Sequence, residues 1–324
     1  MKLISIVVPM YNEEAMVAIF FEHIDKVISD LSERYNFEIV AVNDGSKDQT
    51  LAILKEQQKT HPHLRIVDLA RNFGHEPAVS AGLHVAKGDA VIPLDADLQD
   101  PPEIIPALIE QWENGFEVVN ARRATRKEDT FLKRTTAKMF YDFMTKISGK
   151  IKVPANVGHY RLMSRRVVDE VNALPEKTRV LRVEVPYVGF KTTEVIFDRK
   201  KREEGKTHYN FKSMFDLAIN AIVSSSLRPL GWPVTLAISL NMVAWLSSLV
   251  QIILYIIHAV NNNLLIGVMH PTWLIINISL ILTGFVLIVL ALIGIYVGKI
   301  FNEVQGRPFY VINEVIEVNL EEEK

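Results

Sequence analysis

The stretch Ala90-Val91-Ile92-Pro93-Leu94-Asp95-Ala96-Asp97-Leu98-Gln99-Asp100-Pro101-Pro102-Glu103 is a short apolar run that stops on three carboxylates within six residues. An apolar run this short, bounded by polar and proline residues, suits a strand buried on both faces. Residues 102–114 after it have a helical pattern. The same grammar recurs upstream. Residues 4–9 and 37–43 read as β-branched strands, 64–69 as a third, and 90–94 as a fourth. Between them, residues 13–35 place Val17, Phe20, Phe21, Ile24, Val27, Ile28 and Leu31 at helical spacing. Residues 49–60, which Asp48 is placed to cap, and 77–86 read as further helices. A fifth strand is expected at 117–121. Strand and helix in strict alternation predict an α/β fold, a mostly parallel sheet with helices on both faces.

In such sheets ligands bind beyond the carboxyl ends of the strands. The polar clusters fall there: Tyr11-Asn12-Glu13, Asn43-Asp44-Gly45-Ser46, Arg71-Asn72 and Asp95-Ala96-Asp97. Alternate carboxylates on extended chain point to one side, and such hard oxygens suit Mg²⁺ or Mn²⁺, which commonly also bind substrate phosphates. Neither a Gly-x-x-x-x-Gly-Lys-Ser/Thr loop nor a Gly-x-Gly-x-x-Gly turn follows the first strand, which argues against P-loop ATPases and dinucleotide enzymes. His75, beside Arg71-Asn72, is read as structural or surface. Arg122, Arg123 and Arg126 form one cationic cluster. Arg199, Lys200, Lys201, Arg202, Lys206 and His208 form another around Gly205. Either is a solvated face or a clamp for a diphosphate or lipid phosphate.

Charge divides the 324 residues sharply. No Asp, Glu, Lys or Arg occurs in the 70 residues between Arg228 and Lys299, whereas the preceding part mixes both signs throughout. Two apolar runs, 230–260 and 272–298, are separated by Asn261-Asn262-Asn263 and His270-Pro271, and each is long enough to span a bilayer. Trp232, Tyr255, Trp273 and Tyr296 sit near their ends, as interfacial aromatic residues do. Arg228, Lys299 and Arg307 flank the outer ends while the connecting loop has no cation, so both outer ends are expected in the cytoplasm. The resulting division is a cytoplasmic domain at 1–210, an amphipathic segment at 211–228, a transmembrane hairpin at 229–300 and a cytoplasmic tail at 301–324. The amphipathic segment either lies in the interface plane or packs on the soluble domain. The first nine residues read as a strand rather than a signal peptide. A net charge of −2 provides no basis for nucleic-acid binding, and the absence of cysteine excludes disulfides and thiolate metal sites.

Taken together, Val8-Pro9-Met10-Tyr11-Asn12-Glu13-Glu14, Val42-Asn43-Asp44-Gly45-Ser46-Lys47-Asp48, Arg71-Asn72-Phe73-Gly74, the Asp95–Glu103 segment and Gly205-Lys206-Thr207-His208-Tyr209 resemble the family-two inverting glycosyltransferases of GT-A fold. Within them the likeness is to the polyprenyl-phosphate glycosyltransferases, such as bactoprenol glucosyltransferases and dolichyl-phosphate mannose synthases. Tyr296-Val297-Gly298-Lys299 and Glu303-Val304-Gln305-Gly306-Arg307-Pro308 look like the two-helix bacterial branch. The resemblance implies transfer of a sugar from a nucleotide sugar, UDP-linked glucose or N-acetylglucosamine, to polyprenyl phosphate at the plasma membrane. It implies that Pro9, Tyr11, Glu13 and Asp44 hold the nucleoside, with Arg71 near base or ribose. Asp95, Asp97 and Gln99 would arrange metal and diphosphate, and Arg202, Lys206 and Tyr209 would close over phosphate groups. Arg122 and Arg126 are candidates for the lipid phosphate. Homo-oligomers occur in this branch.

One segment departs from the pattern. Where the family has a Gly-Asp-Phe-Arg-Leu-like sequence, often with a second acid three residues earlier, this chain reads Asn156-Val157-Gly158-His159-Tyr160-Arg161-Leu162. Asp97, His159 and Arg161 are therefore the catalytic candidates, with no carboxylate base at 159. A phosphate monoester has a second pKa of about 6, so it is already a nucleophile at neutral pH. The competing reading from the same residues is a silent membrane scaffold that binds nucleotide sugar. A processive polysaccharide synthase is disfavoured, because its extra helices and Gln-x-x-Arg-Trp motif are missing.

Overall fold

The computed structural model describes residues 1–124, 157–176, 179–198 and 271–317, with isolated helical positions between 239 and 257. The chain divides into two units, 1–215 together with 306–324, and 216–305.

The first unit is built on one eight-stranded sheet: β1 (Lys2–Met10), β2 (Tyr35–Asn43), β3 (Leu64–Leu69), β4 (Ala90–Pro93), β5 (Val118–Arg123), β6 (Val157–Ser164), β7 (Thr192–Phe197) and β8 (Ile312–Ile316), in the spatial order β7-β5-β6-β4-β1-β2-β3-β8. The helices are α1 (Val17–Leu31), α2 (Thr50–Gln58), α3 (His75–Val85), α4 (Ile105–Glu113), α5 (Arg165–Ala173) and α6 (Leu181–Val188). A 3₁₀ turn, Pro102–Ile104, precedes α4, so the single helix expected from Pro102 is split. β1, β2, β3 and β4 pair in parallel, as do β5 and β7; β6 and β8 run the other way.

Side-chain alternation feeds two cores. Ile4, Ile6 and Val8 of β1 join Phe20, Phe21 and Ile24 of α1 on one face, while Val7, Val40 and Val42 join Ala78 and Ala81 of α3 on the other. Every one of these side chains is essentially excluded from solvent. Covering both faces explains why β1 and β2 are apolar nearly throughout rather than alternating.

The path of the chain positions the site. From β1 it steps through β2 to β3 on one side, then crosses back to lay β4 on the opposite side of β1. Strand ends flanking such a reversal leave a crevice between their loops. Because β6 is antiparallel to both β4 and β5, its first residues, Val157-Gly158-His159, enter at the same end at which β4 and β5 finish.

In the second unit, α7 (Pro271–Gln305) is a continuous helix, and Leu282–Gln305 is long and apolar enough to cross a membrane. Its side chains Val286, Ile288, Leu290, Ile293, Val297 and Ile300 are exposed. So are Met242, Leu246, Leu249, Val250, Ile253, Ile256 and Ile257, helical positions spaced as one stripe within the first apolar run. The amphipathic segment at 211–228 and the rest of that run lie outside the described residues.

Candidate active site

Two loops at the carboxyl ends of β1 and β2 lock together. Asn12, in the left-handed region at φ 54°, donates its N–H to Ser46 Oγ (3.0 Å) and accepts from Lys47 N–H at Oδ1 (2.8 Å). Glu13 N–H donates to Thr50 Oγ1 (2.9 Å), and Asp48 accepts from the N–H groups of Glu14 and Thr50. Ahead of α1, Glu13 O already accepts from Met16 N–H (2.8 Å) and Val17 N–H (3.2 Å), and Thr50 and Asp48 satisfy the free N–H groups of that first turn. Pro9 ends the β1 core half-buried and Tyr11 is exposed.

Asp44 then ties this pair to the loop after β3. Its buried carboxylate accepts from Phe73 N–H (2.7 Å), Gly74 N–H (2.9 Å) and Asn72 Nδ2 (3.0 Å). Burial raises its pKa, against the opposing pull of the two backbone N–H groups. Gly45, at φ +62°, lies against the backbone of Arg71 and Asn72, and a Cβ there would come within 2.3 Å of Arg71 C. Arg71 itself is exposed and stacks over the Phe73 ring at 4.0 Å. Asp44 thus organises the pocket wall with three acceptor contacts, an architectural task beyond the nucleoside contact implied by the family resemblance.

Beyond β4, the acids divide their work. Asp100 is buried and fork-bonded to Arg123, at 3.2 Å from Nε and 2.9 Å from Nη2. Tyr160 braces the same turn by donating to Pro101 O (2.9 Å). Asp97 accepts from Gln99 N–H (3.1 Å), and Leu98 between them sits at φ 52°. Burial raises the pKa of Asp95, and the like charges of Asp100 and Asp97 push the same way, while His75 and Arg123 oppose. This is crowded negative charge. Among the described residues no three ligating side chains are already gathered. A pair of strand-end carboxylates nevertheless fits Mg²⁺ or Mn²⁺, which commonly take one or two protein carboxylates and complete their shell with substrate phosphates and water.

The structure brings two further residues to this end of the sheet. His75 opens α3 with Nε2 3.6 Å from Asp95 Oδ1, and its ring meets that of His159 edge-on at 4.7 Å between centroids. Glu76 Oε1 lies 3.3 Å from His159 Nε2. His75, expected to be structural or surface, is exposed, and the start of α3 sets it beside both Asp95 and His159. The proximity of His75-Glu76 to Arg71-Asn72 in sequence was the available signal; the contact with residue 159 had none.

His159 is mostly buried, at 15% side-chain exposure, and burial holds its pKa well below the usual histidine range, reinforced by the positive charges of His75, Arg161, Arg182 and Arg123. Both effects favour its neutral form. Its Nδ1 has no hydrogen-bond partner among the described residues. Glu76 is moved the other way, its pKa raised by burial. Arg161, two residues on along the same strand face, is fully buried; burial and Arg182 lower it to about 10, so it stays charged. It donates to Gly158 O (2.7 Å) and lines a cavity of about 180 Å³ with Asn120, Pro186 and Glu194. Arg122 is paired with Glu194 at 2.8 Å. Arg126, Asn156, Arg202, Lys206 and Tyr209 lie outside the described residues.

With this geometry in hand, known proteins are informative. The description "Glycosyl transferase family 2" matches residues 5–171. An uncharacterized glycosyltransferase of Synechocystis is 38% identical over 315 residues, spanning 96% of this chain and 95% of that protein. A prophage bactoprenol glucosyl transferase homolog of Escherichia coli is 39% identical, spanning 96% and 99%. The SfII prophage-derived bactoprenol glucosyl transferase of Shigella flexneri is 41% identical, spanning 96% and 97%.

Proposed function

The chain belongs to glycosyl transferase family 2, and we propose that it moves a hexose from a nucleotide sugar, UDP-glucose or UDP-N-acetylglucosamine, onto polyprenyl phosphate at a membrane surface. The observation that carries this reading is the convergence of the Asp44-anchored loops, the Asp95/Asp97 pair and His159 at the single end of the sheet where β1 and β4 part. The names of the Escherichia coli and Shigella relatives, similar over nearly their full lengths, support bactoprenol as the carrier.

In the proposed reaction a phosphate oxygen of the lipid attacks the anomeric carbon. The new C–O bond forms as the bond to the β-phosphate oxygen breaks, nucleoside diphosphate departs with the electron pair, and the configuration inverts. The Asp44 loops position the nucleoside. Asp95 and Asp97, with Gln99, would hold Mg²⁺ or Mn²⁺, which would supply Lewis-acid neutralisation of the leaving diphosphate. Arg161 contributes fixed positive charge at the β6 entry. Little proton movement is needed from an acceptor whose second pKa is about 6, so a neutral His159 is sufficient where a carboxylate base is absent. Its role is to orient the acceptor.

A membrane hairpin follows from the same reading. β8, after α7, pairs with β3 of the sheet that residues 2–197 build. One sheet lies on one side of a bilayer. If Leu282–Gln305 crosses it, the chain between β7 and β8 crosses an even number of times, and the exposed apolar stripe at 242–257 is the natural partner. The cations Arg228, Lys299 and Arg307 support a cytoplasmic catalytic unit.

The test is to incubate membranes containing the protein with polyprenyl phosphate, Mg²⁺ or Mn²⁺ and each radiolabelled UDP-sugar, then to extract lipid. Labelled lipid that disappears in Asp97→Ala is expected, and the donor that labels identifies the sugar. Nucleotide binding without labelled lipid from any donor would favour the scaffold.

A further inference from the structure

The chain beyond α7 does more than end. β8 carries one extra residue where it pairs with β3: Asp68 faces Glu314 and Leu69 faces Ile312, leaving Asn313 in a bulge. Bulges of this kind re-aim a side chain and recur beside active sites. Here the bulged Asn313 donates through Nδ2 to Asp68 Oδ2 (2.9 Å). The other oxygen of Asp68, Oδ1, accepts from Asn43 Nδ2 (2.6 Å), which orients that buried amide with its own oxygen toward Ser46 N–H (3.3 Å). Ser46 Oγ in turn accepts from Asn12 N–H (3.0 Å). An unbroken run of hydrogen bonds thus leads from the last strand to both loops of the donor pocket. The strand is held there on its own account: Val311 O accepts from Ala70 N–H (3.0 Å), Ile316 O from Gln58 Nε2 (2.9 Å), and Glu317 pairs with Arg65 at 2.9 Å.

We propose that β8 is a positioning element of the donor site, with Asn313 acting through Asp68 and Asn43 to set the loop that follows β2. Asn313 touches no substrate. It fixes which oxygen of Asp68 is left for Asn43, and so which face Asn43 presents to Ser46. The chain that leaves the sheet for the apolar helix thereby returns to complete the pocket from the sheet edge. This inference rests on the donor-site reading above.

Its test uses the full-length protein in detergent or nanodiscs and compares Asn313→Ala, Asn313→Gln and, as a control on the same strand, Glu314→Ala. UDP binding in Mg²⁺ is measured by calorimetry, donor KM and kcat by lipid labelling, and the unfolding midpoint by fluorescence. Removing an exposed donor to a carboxylate, felt through two further bonds, is expected to raise the UDP Kd and donor KM of Asn313→Ala by about fivefold with kcat within about twofold. Asn313→Gln, which keeps the amide donor, recovers most of that loss, and Glu314→Ala behaves as the wild type. Wild-type KM in Asn313→Ala would overturn the proposal. So would a KM rise shared by Glu314→Ala in step with its unfolding midpoint. A wild-type protein that binds no UDP strikes the donor-site reading instead.

Discussion

Replacing Gly45 by alanine probes the pocket wall where it is tightest. An added Cβ would stand 2.3 Å from Arg71 C, 2.5 Å from Asn72 N and 2.7 Å from Arg71 Cα. Ordinary contact begins at 3.4 Å, so the two loops must part by about 1.1 Å, and each of these neighbouring atoms is backbone that has no rotamer to yield. A parting of that size carries the Asp44 contacts to Phe73 N–H, Gly74 N–H and Asn72 Nδ2, now 2.7–3.0 Å, beyond hydrogen-bond range. Each such bond to a carboxylate contributes about 1.5–3 kcal/mol, and alanine at positive φ adds about 1 kcal/mol. The loop can swing outward and rehydrate its N–H groups, so the measured destabilisation is expected near 3 kcal/mol. UDP affinity is expected to fall at least about tenfold, as pre-organisation of the pocket is lost. Gly115, at φ +87° with nothing within 4 Å of an added Cβ, supplies the control: Gly115→Ala carries the backbone cost alone and leaves UDP binding intact. Calorimetric UDP titrations in Mg²⁺, paired with thermal unfolding in detergent, separate the two. Wild-type UDP affinity in Gly45→Ala, or equal loss in both variants, would refute the reasoning.

Other outcomes follow from the same geometry. In His159→Ala, kcat is expected to fall about tenfold, less than the 10²–10⁴ of a lost general base, with UDP Kd within about twofold; loss of donor binding instead would move His159 into the metal or nucleotide shell. His159 also leaves a mark on stability. Its folded pKa is depressed, so below the unfolded value of about 6.5 the unfolded chain takes up a proton that the fold refuses, and stability is lost as pH falls, by up to about 1.4 kcal/mol per unit. Glu184, pushed up to about 7 by burial, acts oppositely between pH 4.5 and 7; comparing His159→Gln with wild type cancels that contribution, and a shallower fall in unfolding midpoint from pH 6.5 to 5 is expected in the variant. Arg123→Ala removes the fork on buried Asp100 and is expected to destabilise by about 3 kcal/mol. Arg123→Lys keeps charge but not the fork and recovers only part of that in the same unfolding assay.

Local pattern was enough to place the strands and helices of the first half. Buried parallel strands are apolar without interruption, and the runs at 37–43, 64–69 and 90–94 needed no tertiary information to be found. Boundaries moved at element ends, as at α1, where a turn closed on Glu13 O and held by Asp48 and Thr50 precedes Val17. The Asp95–Asp97 pair and the Asn43–Ser46 turn were legible because alternation and strand-end position are local properties. The 70-residue uncharged stretch was legible because charge composition is a local property.

Which residues share a site is another matter. His75 reads as structural or surface, and nothing within several residues of it speaks of residue 159; only the reversed direction of β6 carries His159 back to the opening of α3. The same holds for β8, which in sequence is a polar tail after an apolar helix and in space is the edge strand that reaches Asp68. Sequence by itself determined the elements, the acid cluster and the long uncharged stretch, because each follows from spacing and composition within one stretch. Tertiary structure alone decided the partners of Asp44, His159 and Asn313, because a contact between residues tens to hundreds of positions apart depends on strand order and direction, and neither is written in local periodicity.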